Sequence, residues 1–142
     1  MGQMFHLFVE DVGFVIDNDL HESEFLNTKV FDDLKPLVHN GKYRSYRTKI
    51  PHQIHGSPFY MRFYFMESKF TSLHLHSAIK FGMSSNIMDV AQLENAKSFN
   101  DQWLMNQLGV NQKGVKPWGS VESVMDKKGR SASIIFRFSD GR

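Results

Sequence analysis

The chain has no cysteine among its 142 residues. Disulfides, thiolate metal sites and a cysteine nucleophile are therefore excluded. No apolar run approaches the roughly 20 residues that span a bilayer. The start, Met1-Gly2-Gln3-Met4-Phe5-His6, has no basic region and no following apolar segment, so no secretion signal is expected. His6 stands where N-myristoylation after Gly2 wants Ser or Thr. The expected location is the cytoplasm, with no membrane partner. Gly-x-Gly-x-x-Gly and P-loop patterns are missing, as is the Gly-x-Ser-x-Gly elbow of serine hydrolases. No repeat, low-complexity tract or domain boundary interrupts the chain.

What is present is enough for a core. Apolar residues make up 41% of the chain, with 13 Phe, which argues against disorder and for a single domain over residues 1–142. The longest pattern runs from Asn86 to Phe138. Val90, Leu93, Ala96, Phe99, Trp103, Leu104 and Leu108 recur at helical spacing, predicting one broad buried face. Asn86 reads as N-cap with Asp89 in the first turn, and Gly109 as the residue just past the C-terminus. After a basic loop, Trp118 to Met125 and Ala132 to Phe136 flank Asp126-Lys127-Lys128-Gly129, a hairpin signal.

Upstream, Phe5–Val9 and Val12–Ile16 are β-rich and read as a hairpin or one bulged strand. Asp19 with Glu22 three residues on resembles a capping box, opening a short helix with Phe25 and Leu26 inward. A second helical turn, Lys29 to Leu34, must end by Pro36. Asn40-Gly41 marks a turn, and Tyr43–Ile50 a partly exposed strand. Pro51 to Pro58 reads as a loop. In Phe59–Met66, Phe59, Met61, Phe63 and Phe65 share one side and Tyr60, Arg62 and Tyr64 the other. Leu73 and Leu75 then alternate with His74 and His76, as in a meander with one wet face. The expected fold is α+β: an antiparallel β-sheet of five to seven strands, one long helix packed on one face, and short N-terminal helices. Phe63, Phe65, Leu73, Leu75, Leu93, Trp103, Leu104, Ile134 and Phe136 are the expected core.

The charge is uneven. Up to Leu34 there are eight acids (Glu10, Asp11, Asp17, Asp19, Glu22, Glu24, Asp32, Asp33) against Lys29 alone; the rest holds sixteen Lys and Arg against seven acids. Such asymmetry marks either a charged partner surface or a solvated acidic face balanced by a basic sheet.

Candidate chemistry is sparse. His74 and His76 share a strand face at about 7 Å spacing, half of a metal site, with His52, His55 or distant carboxylates needed to complete it. Paired polar residues on a wet sheet face are the commoner arrangement, and no metal or cofactor is expected. No oriented Ser-His-Asp set is nominated, and neighbouring acids such as Asp32 and Asp33 point apart on a helix. The chain is not expected to be an enzyme. A rival role is single-stranded nucleic-acid binding. Lys42, Arg44, Arg47 and Lys49 interleave with Tyr43 and Tyr46, and Arg62 lies with Tyr60 and Tyr64, a basic and aromatic sheet face of the stacking type. The ribonucleoprotein signature is absent, and a pI of about 8.9 falls short of the usual basic-domain cue. An adaptor for another protein is a further alternative.

The order of Asn40-Gly41-Lys42-Tyr43-Arg44-Ser45-Tyr46, a Phe-rich strand, a polar helix with Trp103-Leu104 and Leu108-Gly109, then Trp118-Gly119, Val121-Glu122-Ser123 and Ser131-Ala132-Ser133-Ile134-Ile135 resembles small bacterial immunity proteins. These belong to polymorphic toxin systems, including type VI secretion and contact-dependent growth inhibition loci. The resemblance spans roughly Leu20 to Phe138 and carries no catalytic signature. It implies a cytoplasmic protein that neutralises one cognate toxin domain by stoichiometric binding. Many such toxins attack nucleic acid, and a nuclease must present a basic cleft. Carboxylates suit such a cleft, so the expected partner-binding residues are Asp17, Asp19, Glu22, Glu24, Asp32 and Asp33. A toxin of another kind would move the contact to the basic Tyr43–Lys49 strand.

Overall fold

A computed structural model describes residues 4–28, 31, 33–79 and 90–139. In chain order the elements are β1 (His6–Val9), β2 (Phe14–Asp17), α1 (Glu22–Asn27), β3 (Leu34–Asn40), β4 (Tyr43–Thr48), β5 (His52–Ile54), β6 (Ser57–Met66), β7 (Lys69–Ser77), α2 (Val90–Leu108), β8 (Lys113–Lys116), β9 (Gly119–Asp126) and β10 (Ser131–Phe138). The class is α+β. β1 and β2 form a separate two-stranded hairpin, and eight strands form the main sheet in the order β3-β4-β6-β7-β10-β9-β8, with β5 paired to β6. Every pairing is antiparallel.

The alternation of β6 sets the layers. Phe59, Met61, Phe63 and Phe65 are fully buried, and Leu73, Leu75, Ile134, Phe136 and Val121 continue the same surface through β7, β10 and β9. Each of the nine expected core residues is buried. Two sets of elements cover this face. Phe25 of α1 lies 4.5 Å from Phe63 between ring centroids, and Phe5, ahead of the hairpin, packs at 4.9 Å on both Trp118 and Phe136. Across the other half, α2 lays Trp103 edge-on to Phe59 at 5.2 Å, while Leu93 and Ala96 meet Ala132.

The sheet has more strands than the five to seven expected, for a local reason. β3 contains Pro36, and its register shifts between Pro36 and Val38; an edge strand tolerates that proline because one row of its N–H groups faces away from the sheet. β5 and β8 are three and four residues long, too short for alternation to show. Of the short N-terminal helices expected, the described residues show the six-residue α1; the turn expected over 29–34 falls partly on residues 29, 30 and 32, which lie outside the described residues. Its cap is His21, with no side-chain hydrogen bond, so the Asp19–Glu22 capping box is not formed. Leu26 is 44% exposed, not inward; with 3.6 residues per turn it lies about 100° round the helix from Phe25, which takes the place on the sheet. On α2, Val90 is 54% exposed while Asn100 is fully buried; the apolar stripe is narrower than its pattern implied. Gly109 (φ +66°) ends α2 with its N–H on the Met105 carbonyl, as expected. Lys29, Asn86 and Asp89 lie outside the described residues.

The Trp118-Gly119 element has a steric explanation. Gly119 has φ +149°, and a Cβ there would collide with the backbone carbonyl of Arg137 on β10. Gly41, at φ +59°, has open space around it. Two outcomes follow. Trp103→Ala should cost about 3–5 kcal/mol in denaturant unfolding, the range for emptying a buried aromatic site. Gly41→Ala should cost only the left-handed strain of about 1–2 kcal/mol, and Gly119→Ala clearly more than Gly41→Ala. Equal midpoints for the two glycine variants would refute the close approach of β9 and β10 at this point.

Candidate functional site

The acids of the first third divide sharply in the fold. Glu22 is 5% exposed. Its carboxylate accepts the Tyr46 hydroxyl and lies 3.7 Å from the Arg44 guanidinium. Burial, and then Glu22 itself, push the Tyr46 hydroxyl up to about 12. Tyr46 therefore belongs to the covered face and not to an exposed basic and aromatic strand. Asp33 accepts the N–H groups of Lys49 and Ile50 at 2.9 and 3.1 Å and sits 3.3 Å from His52 Nε2. On the other side of that buried ring, Asp11 lies 2.8 Å from His52 Nδ1 and accepts the Gln53 N–H at 2.8 Å. Burial works to raise the Asp11 carboxyl, but the Gln53 N–H and His52 outweigh it and hold it below its ordinary value. Glu10 accepts the Gly56 N–H at 2.9 Å.

These carboxylates bind the N-terminal hairpin and the chain ahead of β3 to β5. Glu22 and Asp33 are thus committed to bonds within the fold. Asp17 is half-buried and accepts the Asp19 N–H at 2.9 Å, whereas Asp19 and Glu24 are exposed. Asp19 borders a cleft of about 720 Å³ with His21, Lys69 and Phe138. Asp32 lies outside the described residues. His52 lies on β5 and not in the loop expected from Pro51 to Pro58. No local pattern marks its role, because both partners, Asp11 and Asp33, lie in turns distant in sequence.

The other side of the main sheet, which no described element covers, carries the other polar set. Strand register aligns Arg47, Arg62, His74, Ile135, Glu122 and Lys113 in one row across six strands. Beside it, Tyr64 lies between Ser45 and Ser72, with Arg137 next to Ser72. Tyr60 is opposite His76. The Tyr64 and His74 rings are 4.4 Å apart between centroids, and His74 and His76 6.5 Å. Arg137 pairs with Glu122 at 3.4 Å. Both imidazoles are held down to about 4: His74 by burial, then Arg137 and Arg62, and His76 by burial, then Arg62 and His74. Neither ring is hydrogen-bonded to a serine or a carboxylate among the described residues. No group of three or more His, Asp or Glu suited to a metal ion occurs among them. The arrangement offers recognition: uncharged imidazoles, tyrosines and guanidinium groups on a rigid, gently pleated platform.

No family model, no curated protein and no solved structure matches the chain.

The buried carboxylate and the histidine pair each generate an outcome. Tyr46→Phe leaves the Glu22 carboxylate short of a buried donor and should cost about 1–3 kcal/mol, whereas Glu24→Gln on the exposed side of α1 should fall within about 0.5 kcal/mol of the parent. Equal thermal midpoints for Tyr46→Phe and the parent would refute the Glu22 bond. For the histidines, the folded value lies below the ordinary 6.5. Between pH 6.5 and about 4 the unfolded chain takes up protons that the folded chain refuses, so stability falls as pH falls through that window. The double variant His74→Gln/His76→Gln should flatten this slope; an unchanged slope in chemical denaturation would show that other groups produce it.

Proposed function

We propose that the chain is a cytoplasmic immunity protein that binds a cognate bacterial toxin domain and neutralises it as a stoichiometric complex, without turnover of its own. The motif order described above supports this reading. The single observation that carries it furthest is the division of the main sheet into a covered apolar face and an uncovered one bearing Tyr60, Arg62, Tyr64, His74 and Arg137. Tyr and Arg are the residues that anchor protein interfaces, since each adds contact area and directed hydrogen bonds at little entropic cost. Six strands at about 4.8 Å spacing span roughly 24 Å, the scale of a partner patch of about 800 Å².

In this reading the uncovered face is the main docking surface. Asp17, Asp19 and Glu24 remain a second, acidic one, suited to a basic cleft if the toxin is a nuclease. Among the described residues no helix is long and apolar enough to cross a membrane, which is compatible with a cytoplasmic site of action.

A second reading rests on the same face. Tyr60, Arg62 and Tyr64 side by side on β6 would stack and hold a single-stranded nucleic acid. The decisive measurement is to look in the upstream reading frame for a large secreted protein with a toxic C-terminal domain and to coexpress that domain with this chain. Growth should be rescued and a one-to-one complex recovered. Failure to rescue while the protein is present in soluble form refutes the immunity reading, and retention on single-stranded RNA at moderate salt favours the second.

A further inference from the structure

Arg47 and Arg62 are direct cross-strand partners on the uncovered face. Residues so opposed have Cβ atoms about 5 Å apart, and like charges there destabilise the pair. Three cations are compensated by a carboxylate: Arg44 reaches Glu22, Lys97 reaches Asp101 and Arg137 reaches Glu122. Neither Arg47 nor Arg62 has a carboxylate within ion-pair distance among the described residues.

A recess of about 280 Å³ opens at this pair, lined also by Lys49, Tyr60 and His76. The Nε2 atom of His76 is buried without a hydrogen-bond partner. With its pKa held near 4 by burial and then by Arg62, the ring is neutral at physiological pH and contributes a hydrogen-bonding edge, not a third charge. An unpaired cation pair beside an unsatisfied polar atom is unfavourable in the free protein. A bound oxyanion would cancel the repulsion and accept from both guanidinium forks.

We propose that this recess is an anion-binding site on the docking face, and that its occupant is a carboxylate: an Asp or Glu side chain on the surface of the toxin domain. The partner's identity rests on the immunity reading; the anion site does not. Carboxylate is favoured over a phosphodiester chain by how the charge stops. From Arg47 and Arg62 the row passes to His74, Ile135 and the acidic Glu122, and only then to Lys113 on the edge strand β8. A nucleic-acid strand needs cations repeated along its backbone, whereas one carboxylate needs a single guanidinium clamp. The sign of the contact is thus opposite to that expected from the acidic N-terminal third.

The test begins with the free protein. Hexaglutamate and a hexathymidylate oligonucleotide are titrated at the same low ionic strength, reading the Arg47 and Arg62 Nε–H and the His76 ring resonances by NMR. Hexaglutamate should shift these signals saturably. Arg47→Gln and Arg62→Gln should each bind it at least ten-fold more weakly, with an unchanged or higher melting temperature, since the repulsion is gone. Unmoved signals in the parent, or undiminished binding by both variants, overturns the anion site. Tighter binding of hexathymidylate at the same atoms overturns the carboxylate assignment in favour of nucleic acid. In coexpression, the parent should protect cells and Arg47→Glu/Arg62→Glu should not. Protection by that charge-reversed protein overturns the docking role. A parent that fails to protect refutes the immunity reading instead, leaving the titration to decide the site.

Discussion

The alternation along β6 is the constraint from which the rest of the molecule follows. Phe59, Met61, Phe63 and Phe65 cannot stay in water, and in a pleated strand all four point to one side. Both halves of the chain are arranged to cover that side. The N-terminal half supplies the β1–β2 hairpin and Phe25 of α1; the C-terminal half supplies α2 and, through Trp118, the entry to β9. The halves join where β7 pairs with β10. With every covering element among the described residues on one side, polar residues are left to the other, and that remainder is the surface on which recognition can be built.

Carboxylates hold the rim of this arrangement. A two-stranded hairpin of four-residue strands has little stability by itself, and it buries Leu7, Val9 and Ile16 against the rest of the core. Glu10 and Asp11 fasten the turn of that hairpin to β5, and Asp33 fastens the chain ahead of β3 to the segment that follows β4. Glu22 ties α1 to the tyrosine of β4. Much of the acidity that reads as a partner surface in the sequence is consumed in this way. The consequence for function is a change of face: at Arg47 and Arg62 the register opposes two cations directly, with no acid within ion-pair distance among the described residues.

The faces of β6 and β7, the existence of α2 and the β9–β10 hairpin were legible in the sequence, because each depends on a period read over neighbouring residues. So was the sharing of one side by His74 and His76. β3, β5 and β8 were not, since an edge strand with proline and strands of three or four residues exist by virtue of the partners they pair with. Leu26 and Val90 misled for a related reason: apolar character permits burial but does not require it.

What the sequence by itself determined is the set of residues that must leave water, and hence an α+β domain with one apolar sheet face. Which polar groups are spent and which are free was decided only in three dimensions. Glu22 and Glu24 are two residues apart on one short helix, yet one is bonded to Tyr46 and the other faces solvent. Arg44 and Arg47 lie on one strand, yet the first reaches a carboxylate and the second faces Arg62. Hydrophobic burial is proportional to area and has no direction, so it can be read from composition and period. A hydrogen bond or ion pair needs two particular atoms at about 3 Å, and only strand register brings them there.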